Sequence, residues 1–91
     1  MKSEPRFRVR LTPQAERVYR RLDRTIRTRV DRVFQQFETG NFSSNNIIAL
    51  RGSLSGSLRY RLGDWRIVFS IHRAEGIVWI EAISTRGGAY R

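Results

Sequence analysis

Cysteine is absent from the 91 residues, so disulfides and thiolate metal sites are excluded and a cytosolic setting is the simplest expectation. Histidine occurs once, at His72, which leaves no histidine pair, no triad and no histidine metal centre. Apolar runs are short. None approaches the roughly 18 residues of a membrane span, and the opening "MKSEPRFRVR" has no apolar core of a signal peptide. Carboxylates are few and scattered: Glu75 falls in a turn and Glu81 in strand context, without metal-ligand spacing. Neither a glycine-rich phosphate loop nor a nucleophile elbow is present, and no metal or cofactor is expected. Lysine is nearly missing too, with Lys2 its one occurrence.

What fills the gap is arginine. Eighteen basic residues stand against eight acidic ones, for a formal net charge of +10. Arginine is weakly hydrated and presents a planar fork that grips phosphate through two parallel hydrogen bonds. So basic a domain is most simply a binder of nucleic acid, although an acidic protein or an anionic membrane surface would also satisfy the charge. Eleven of the basic residues lie in positions 1–40 and seven in 41–91, so the charge belongs to the folded body and not to a tail. The hydrophobic fraction of 40%, including five Phe and two Trp, supports one compact domain over residues 1–91 and leaves no room for a second core.

Residues 6–11, "RFRVRL", alternate apolar and arginine side chains, the pattern of a half-buried strand. Thr12 and Pro13 then open a helix whose stripe is Ala15, Val18, Tyr19 and Leu22. Asp23 begins a second helix with Ile26, Val30, Val33, Phe34 and Phe37 as its apolar stripe, and Gly40 ends it. With almost no linker, the two read as an antiparallel hairpin with arginines outside. Residues 39–57 read as loop, interrupted by "IIALRG". Three strands follow at 58–62, 65–72 and 77–83, the last apolar enough to be central and covered on both faces. The predicted fold is α+β: an N-terminal strand, a two-helix hairpin and a three-stranded antiparallel meander, with the helices packed on one face of a small twisted sheet. Trp65 and Trp79 are expected in the core, and His72 is expected to be structural.

The stretch "LRYRLGDWRIVF" at 58–69 carries the sharpest signal. With Gly63-Asp64 as a two-residue turn of the Gly-first type, Leu62 faces Trp65, Arg61 faces Arg66, Tyr60 faces Ile67 and Arg59 faces Val68. Opposed residues share a face, so Arg59, Arg61 and Arg66 point away from the apolar set. A solvated outer face would also accept arginines. Like charges directly opposed are mildly destabilising, however, and Asp64 is the one acidic residue nearby, which points to an anion between them. At the C-terminus, "STRGGAYR" supplies Arg86 and Tyr90. A frayed end and a base-stacking or phosphate-donating role for Tyr90 are both open.

The chain resembles the RelE-type toxins of bacterial toxin–antitoxin systems. The resemblance rests on the strand-helix-helix-three-strand order, "LRG" at 50–52, "RYRLGDWRIVF" at 59–69 and "RGGAY" at 86–90. It implies a RelE-like fold and a ribosome-dependent endoribonuclease that cuts mRNA in the decoding site. It also implies restraint by a cognate acidic antitoxin, and operator DNA contacted only through that antitoxin. Arg59 and Arg61 match basic positions near the scissile phosphate, and Arg66 matches the arginine on the next strand. Arg86 and Tyr90 match the C-terminal arginine and tyrosine, while Arg51 matches a basic residue of the preceding loop. The expected catalytic set is therefore Arg59, Arg61, Arg66, Arg86 and Tyr90. Arg51, Arg24 and Arg27 would contact RNA, the helical pair on ribosomal RNA. The expected chemistry is metal-free attack of the ribose 2′-hydroxyl on the phosphate. The related ParE class, which inhibits DNA gyrase without cutting RNA, is the alternative, and a non-toxic RNA-binding module is a third possibility.

Overall fold

The computed structural model describes residues 6–52 and 56–85. The alternating N-terminal segment becomes β1 (Arg8–Leu11), two residues shorter than its pattern, because Arg6 and Phe7 turn their amides to the Glu38 carbonyl. Thr12 caps α1 (Pro13–Arg21) by accepting from the Ala15 amide at 3.3 Å, and Pro13 occupies the first turn, where no N–H is required. Asp23 caps α2 (Arg24–Glu38) in the same way, accepting from Ile26 at 3.0 Å. Leu22 and Asp23 are the whole connection, so α2 doubles back and the Tyr19 ring stacks on Phe34 with centroids 5.9 Å apart. Beyond α2, Gly40 turns the chain at φ 79°, in the left-handed region that glycine enters without a Cβ clash.

The remaining elements are β2 (Ile47–Ala49), β3 (Leu58–Leu62), β4 (Trp65–His72) and β5 (Ile77–Thr85). All the strands join one sheet in the order β1-β5-β4-β3-β2. The antiparallel meander of β3, β4 and β5 agrees with the sequence pattern, but the sheet is larger and mixed. β1 runs parallel to β5, pairing Arg8 with Ile77 and Leu11 with Ile80, which makes β5 an interior strand. β2 lies in a segment the sequence assigns to loop; it is three residues long and adds to β3 at the sheet's edge, with Ile48 43% exposed. So short a strand carries no alternation to read.

Both helices contribute to one buried cluster, in which Ala15, Val30 and Phe37 meet Ile67, Phe69, Ile80 and Ile83 of the sheet. Phe37 sits at its centre, its ring 4.3 Å from Phe69 and 6.0 Å from Tyr60 between centroids. Among the described residues no helix covers the opposite face of the sheet, yet Ala82 and Ser84 on that face are only 7% and 6% exposed, so the middle of β5 is buried on both sides. A bulge in β5 matters for that face. Val68 pairs with Ala82 but Phe69 with Ile80, leaving Glu81 as the extra residue. The bulge reverses the in-out alternation, so Ile83 and Ile80 both enter the core while Trp79 turns to the open face with Ala82 and Ser84. The expectation of two core tryptophans therefore holds for Trp65, which packs on the cluster, and fails for Trp79.

Candidate anion-binding site on the open face of the sheet

The Gly63-Asp64 turn sets the site's geometry. Gly63 has φ 60°, while no other residue type takes a positive φ among those described, so the turn has its glycine first as the sequence predicts. The register follows: Leu62 pairs with Trp65, Arg61 with Arg66 and Arg59 with Val68. Leu58, Tyr60, Leu62, Trp65, Ile67 and Phe69 face the helices and belong to or pack on the core. Arg59, Arg61 and Arg66 face the other way. Arg61, Gly63, Asp64 and Arg66 line a cleft of about 320 Å³.

Asp64 shares the cleft, but no described carboxylate forms an ion pair with these arginines. Among the described residues, the ion pairs are Arg20–Glu16 at 2.7 Å and His72–Glu75 at 3.8 Å, both remote from the cleft. Two buried polar atoms on the same face, Nε of Arg59 and Oγ of Ser84, have no hydrogen-bond partner among the described residues. Ser84 pairs directly with Arg66. A buried polar group left unpaired costs about 1–3 kcal/mol. Neither Arg59 nor Ser84 lines the cleft; an oxyanion set between Arg61 and Arg66 would relieve the crowding of charge there.

The structure adds two residues that the sequence does not single out. Arg29 of α2 reaches the hairpin turn: both terminal nitrogens of its guanidinium lie 3.7 Å from where a Cβ on Gly63 would stand. Only tertiary packing brings it there, and no spacing signal announces it. Glu81, the bulge residue, is the second. Its backbone carbonyl accepts from the Thr12 hydroxyl at 2.8 Å, and its carboxylate accepts from the Ser57 hydroxyl, also at 2.8 Å. Ser57 stands just before β3, so the Glu81 side chain crosses above β4. That crossing accounts for Val68 being only 5% exposed on a face without a helix.

Other expected site residues fall elsewhere. Arg51 is exposed in the loop after β2, and Arg86 and Tyr90 lie outside the described residues. Arg24 and Arg27 line a separate hollow of about 280 Å³ with Thr28 and Asp31 on α2, sharing no residue with the Arg61–Arg66 cleft. Arg27 donates to the Leu22 carbonyl at 3.3 Å and lies over the Tyr19 ring, 5.9 Å from its centroid. Tyr19 in turn donates to Asp31 at 2.6 Å. That hydrogen bond raises the Tyr19 pKa above its usual value, helped by burial and the Asp31 charge and opposed by Arg27. His72 is exposed at the far end of β4, 3.0 Å from the Ser70 hydroxyl.

The fold thus sets helices on one face of a small sheet and a cluster of arginines on the other. Over residues 9–90 the chain matches the family model described as the ParE toxin of the type II toxin–antitoxin system parDE. The chain belongs to this family, and is a type II toxin of the RelE/ParE superfamily. Solved structures of similar shape agree. A chain of the toxin–antitoxin complex RelBE2 from Mycobacterium tuberculosis is 27% identical over 90% of this chain and 99% of that one, with a TM-score of 0.68. A chain of the archaeal RelE–RelB complex from Pyrococcus horikoshii is 24% identical over 91% and 98%, with a TM-score of 0.76. The YoeB/ParE toxin from Agrobacterium tumefaciens reaches 0.77 at 13% identity, over 88% and 99%. Among curated protein sequences none matches. Among the described residues, no helix is long and apolar enough to cross a membrane.

Proposed function

We propose that this toxin is a ribosome-dependent mRNA endoribonuclease whose scissile phosphate sits between Arg61 and Arg66. The observation that carries the reading is the direct pairing of those two arginines, with no carboxylate partner among the described residues and with Arg59 on the same face. In the reaction the ribose 2′-oxygen attacks phosphorus and gives up its proton to solvent, the bond to the 5′-oxygen breaks and that oxygen takes a proton from solvent, leaving a 2′,3′-cyclic phosphate and a 5′-hydroxyl. Arg61 and Arg66 stabilise the charge that develops on the non-bridging oxygens, usually the largest single contribution to such catalysis. Arg59 and Arg29 hold neighbouring phosphate. Arginine stays protonated, so these groups act as donors and not as bases. With donors dominating, rate depends on holding the strand in line, which suits assembly on a ribosome. The exposed helical arginines Arg24 and Arg27 would supply sequence-independent, salt-sensitive contacts to ribosomal RNA. The resemblance implies Arg86 and Tyr90, which lie outside the described residues, as further members of the catalytic set.

The antitoxin complexes among the similar structures support a cognate antitoxin as partner, and the net charge of +10 favours an acidic binding segment on it. The family model favours one second reading, inhibition of DNA gyrase. Adding the chain to a translating extract separates the two. Nuclease action gives mRNA cut to a 2′,3′-cyclic phosphate with supercoiling unaffected. Gyrase action gives intact mRNA and blocked supercoiling, which would overturn the proposal.

A further inference from the structure

The β5 bulge places a large aromatic side chain on the arginine face, and neither the core nor the cleft uses it. Trp79 pairs with Arg10 of β1 on one side and Ser70 of β4 on the other, is half-buried, and is absent from the core cluster that takes Val78 and Ile80. Together with Arg8 and Arg10 it lines a groove of about 560 Å³ along β1. Phe7, Val9 and Leu11 also line the groove, and the partly exposed flank of Trp79 stands between the two arginines. Its chemistry, a flat π surface beside two guanidinium groups, fits an unstacked nucleobase with its phosphate.

Position strengthens the case. Arg66 pairs with Ser84 and Ser70 with Trp79, so Trp79 stands four β4 residues from the cleft. At ~3.3 Å per residue that is about 13 Å, the length of roughly four stacked nucleotides at ~3.4 Å each, fewer when the strand is drawn out. Between them lie Val68, Ala82 and Ser84, which are 5%, 7% and 6% exposed and so already covered. The Glu81 side chain is drawn by Ser57 toward the β3 side, away from Trp79, so a strand joining the two sites runs above this cover. Glu38, at the outer rim of the groove, is the other acidic group nearby.

We propose that Trp79, flanked by Arg8 and Arg10, is a base-stacking subsite for single-stranded RNA, a few nucleotides along the strand from the phosphate held by Arg61 and Arg66. It rests on the reading of the open face as an RNA site. It assigns the bulge a purpose: with Glu81 paired in regular register, alternation from Ile83 would bury Trp79 and expose Ile80. The subsite extends the footprint beyond the scissile bond and favours purines, which stack over a larger area.

The test uses the full chain and two non-cleavable probes, 2′-O-methyl hexaadenylate and the matching dinucleotide. The hexamer spans both sites and the dinucleotide only one. In a Trp65→Phe background, the hexamer quenches Trp79 fluorescence. Trp79→Ala weakens hexamer binding by about tenfold, leaves dinucleotide binding unchanged, and is rescued by Trp79→Tyr. Equal hexamer affinity in Trp79→Ala would overturn the subsite. So would an equal loss for both probes, which marks a damaged fold, or a loss confined to an acidic antitoxin peptide, which assigns the groove to protein. Hexamer binding with the quench but no mRNA cleavage supports the subsite and removes the nuclease reading alone.

Discussion

The two faces of the sheet are built from the same strands and serve opposite ends. On the helix side, every second residue of β3 and β4 is apolar, and Phe37, Phe69 and Ile67 close the core. On the open side the intervening residues are Arg59, Arg61, Arg66, Val68, Ser70 and His72, and Nε of Arg59 is left without a hydrogen-bond partner among the described residues. One face supplies the stability; the other presents the arginines proposed to hold an anion. Period-two alternation lets a chain of this size separate the two roles, because a substitution on one face barely reaches the other.

That separation can be broken most severely from the helix side. Phe69→Ala should cost about 3–5 kcal/mol of unfolding free energy, read from urea denaturation, and should abolish function only by unfolding the chain. A smaller loss is expected where the helices are tied together. Tyr19→Phe removes the donor to Asp31 and should cost about 0.5–1.5 kcal/mol at neutral pH. Because the folded-state pKa of Tyr19 is raised from 10.0, its contribution is fully present below pH 10.0 and fades as the pH rises toward that higher value. Denaturation curves on either side of pH 10 should therefore fall more steeply for the native chain than for Tyr19→Phe. On the open face, Ser57→Ala breaks the bond to Glu81 and should cost roughly 1 kcal/mol, with more exposure of Val68 to hydrogen exchange at its amide. The smallest effect has the opposite sign. Arg61→Ala removes like-charge opposition and should leave stability unchanged or raise it by up to about 0.5 kcal/mol, in low salt more than in high.

How much of this was legible in the sequence divides along the same line. The Gly63-Asp64 turn and strict alternation are local signals, so the pairing of Arg61 with Arg66 and the apolar face opposite could be read directly. Thr12, Pro13 and Asp23 announced the two helix starts for the same reason. The parallel pairing of β1 with β5 joins residues nearly seventy positions apart, and no local pattern encodes it. β2 is too short for periodicity. Trp79 was misplaced because a bulge at Glu81 shifts the parity of β5, and a run as evenly apolar as "IVWI" does not reveal where the shift falls. Arg29 is brought to the turn by packing of α2, so its place at the site appears only in three dimensions.

The central claim, that the open face is a catalytic anion site and the covered face its scaffold, is tested most directly by Arg66→Ala. The measurement is mRNA cleavage in a translating extract, alongside the urea unfolding midpoint of the same preparation. The account predicts cleavage lowered about 100-fold, the scale of losing one preorganised oxyanion donor, at an unchanged midpoint. Cleavage equal to that of the native chain would contradict it.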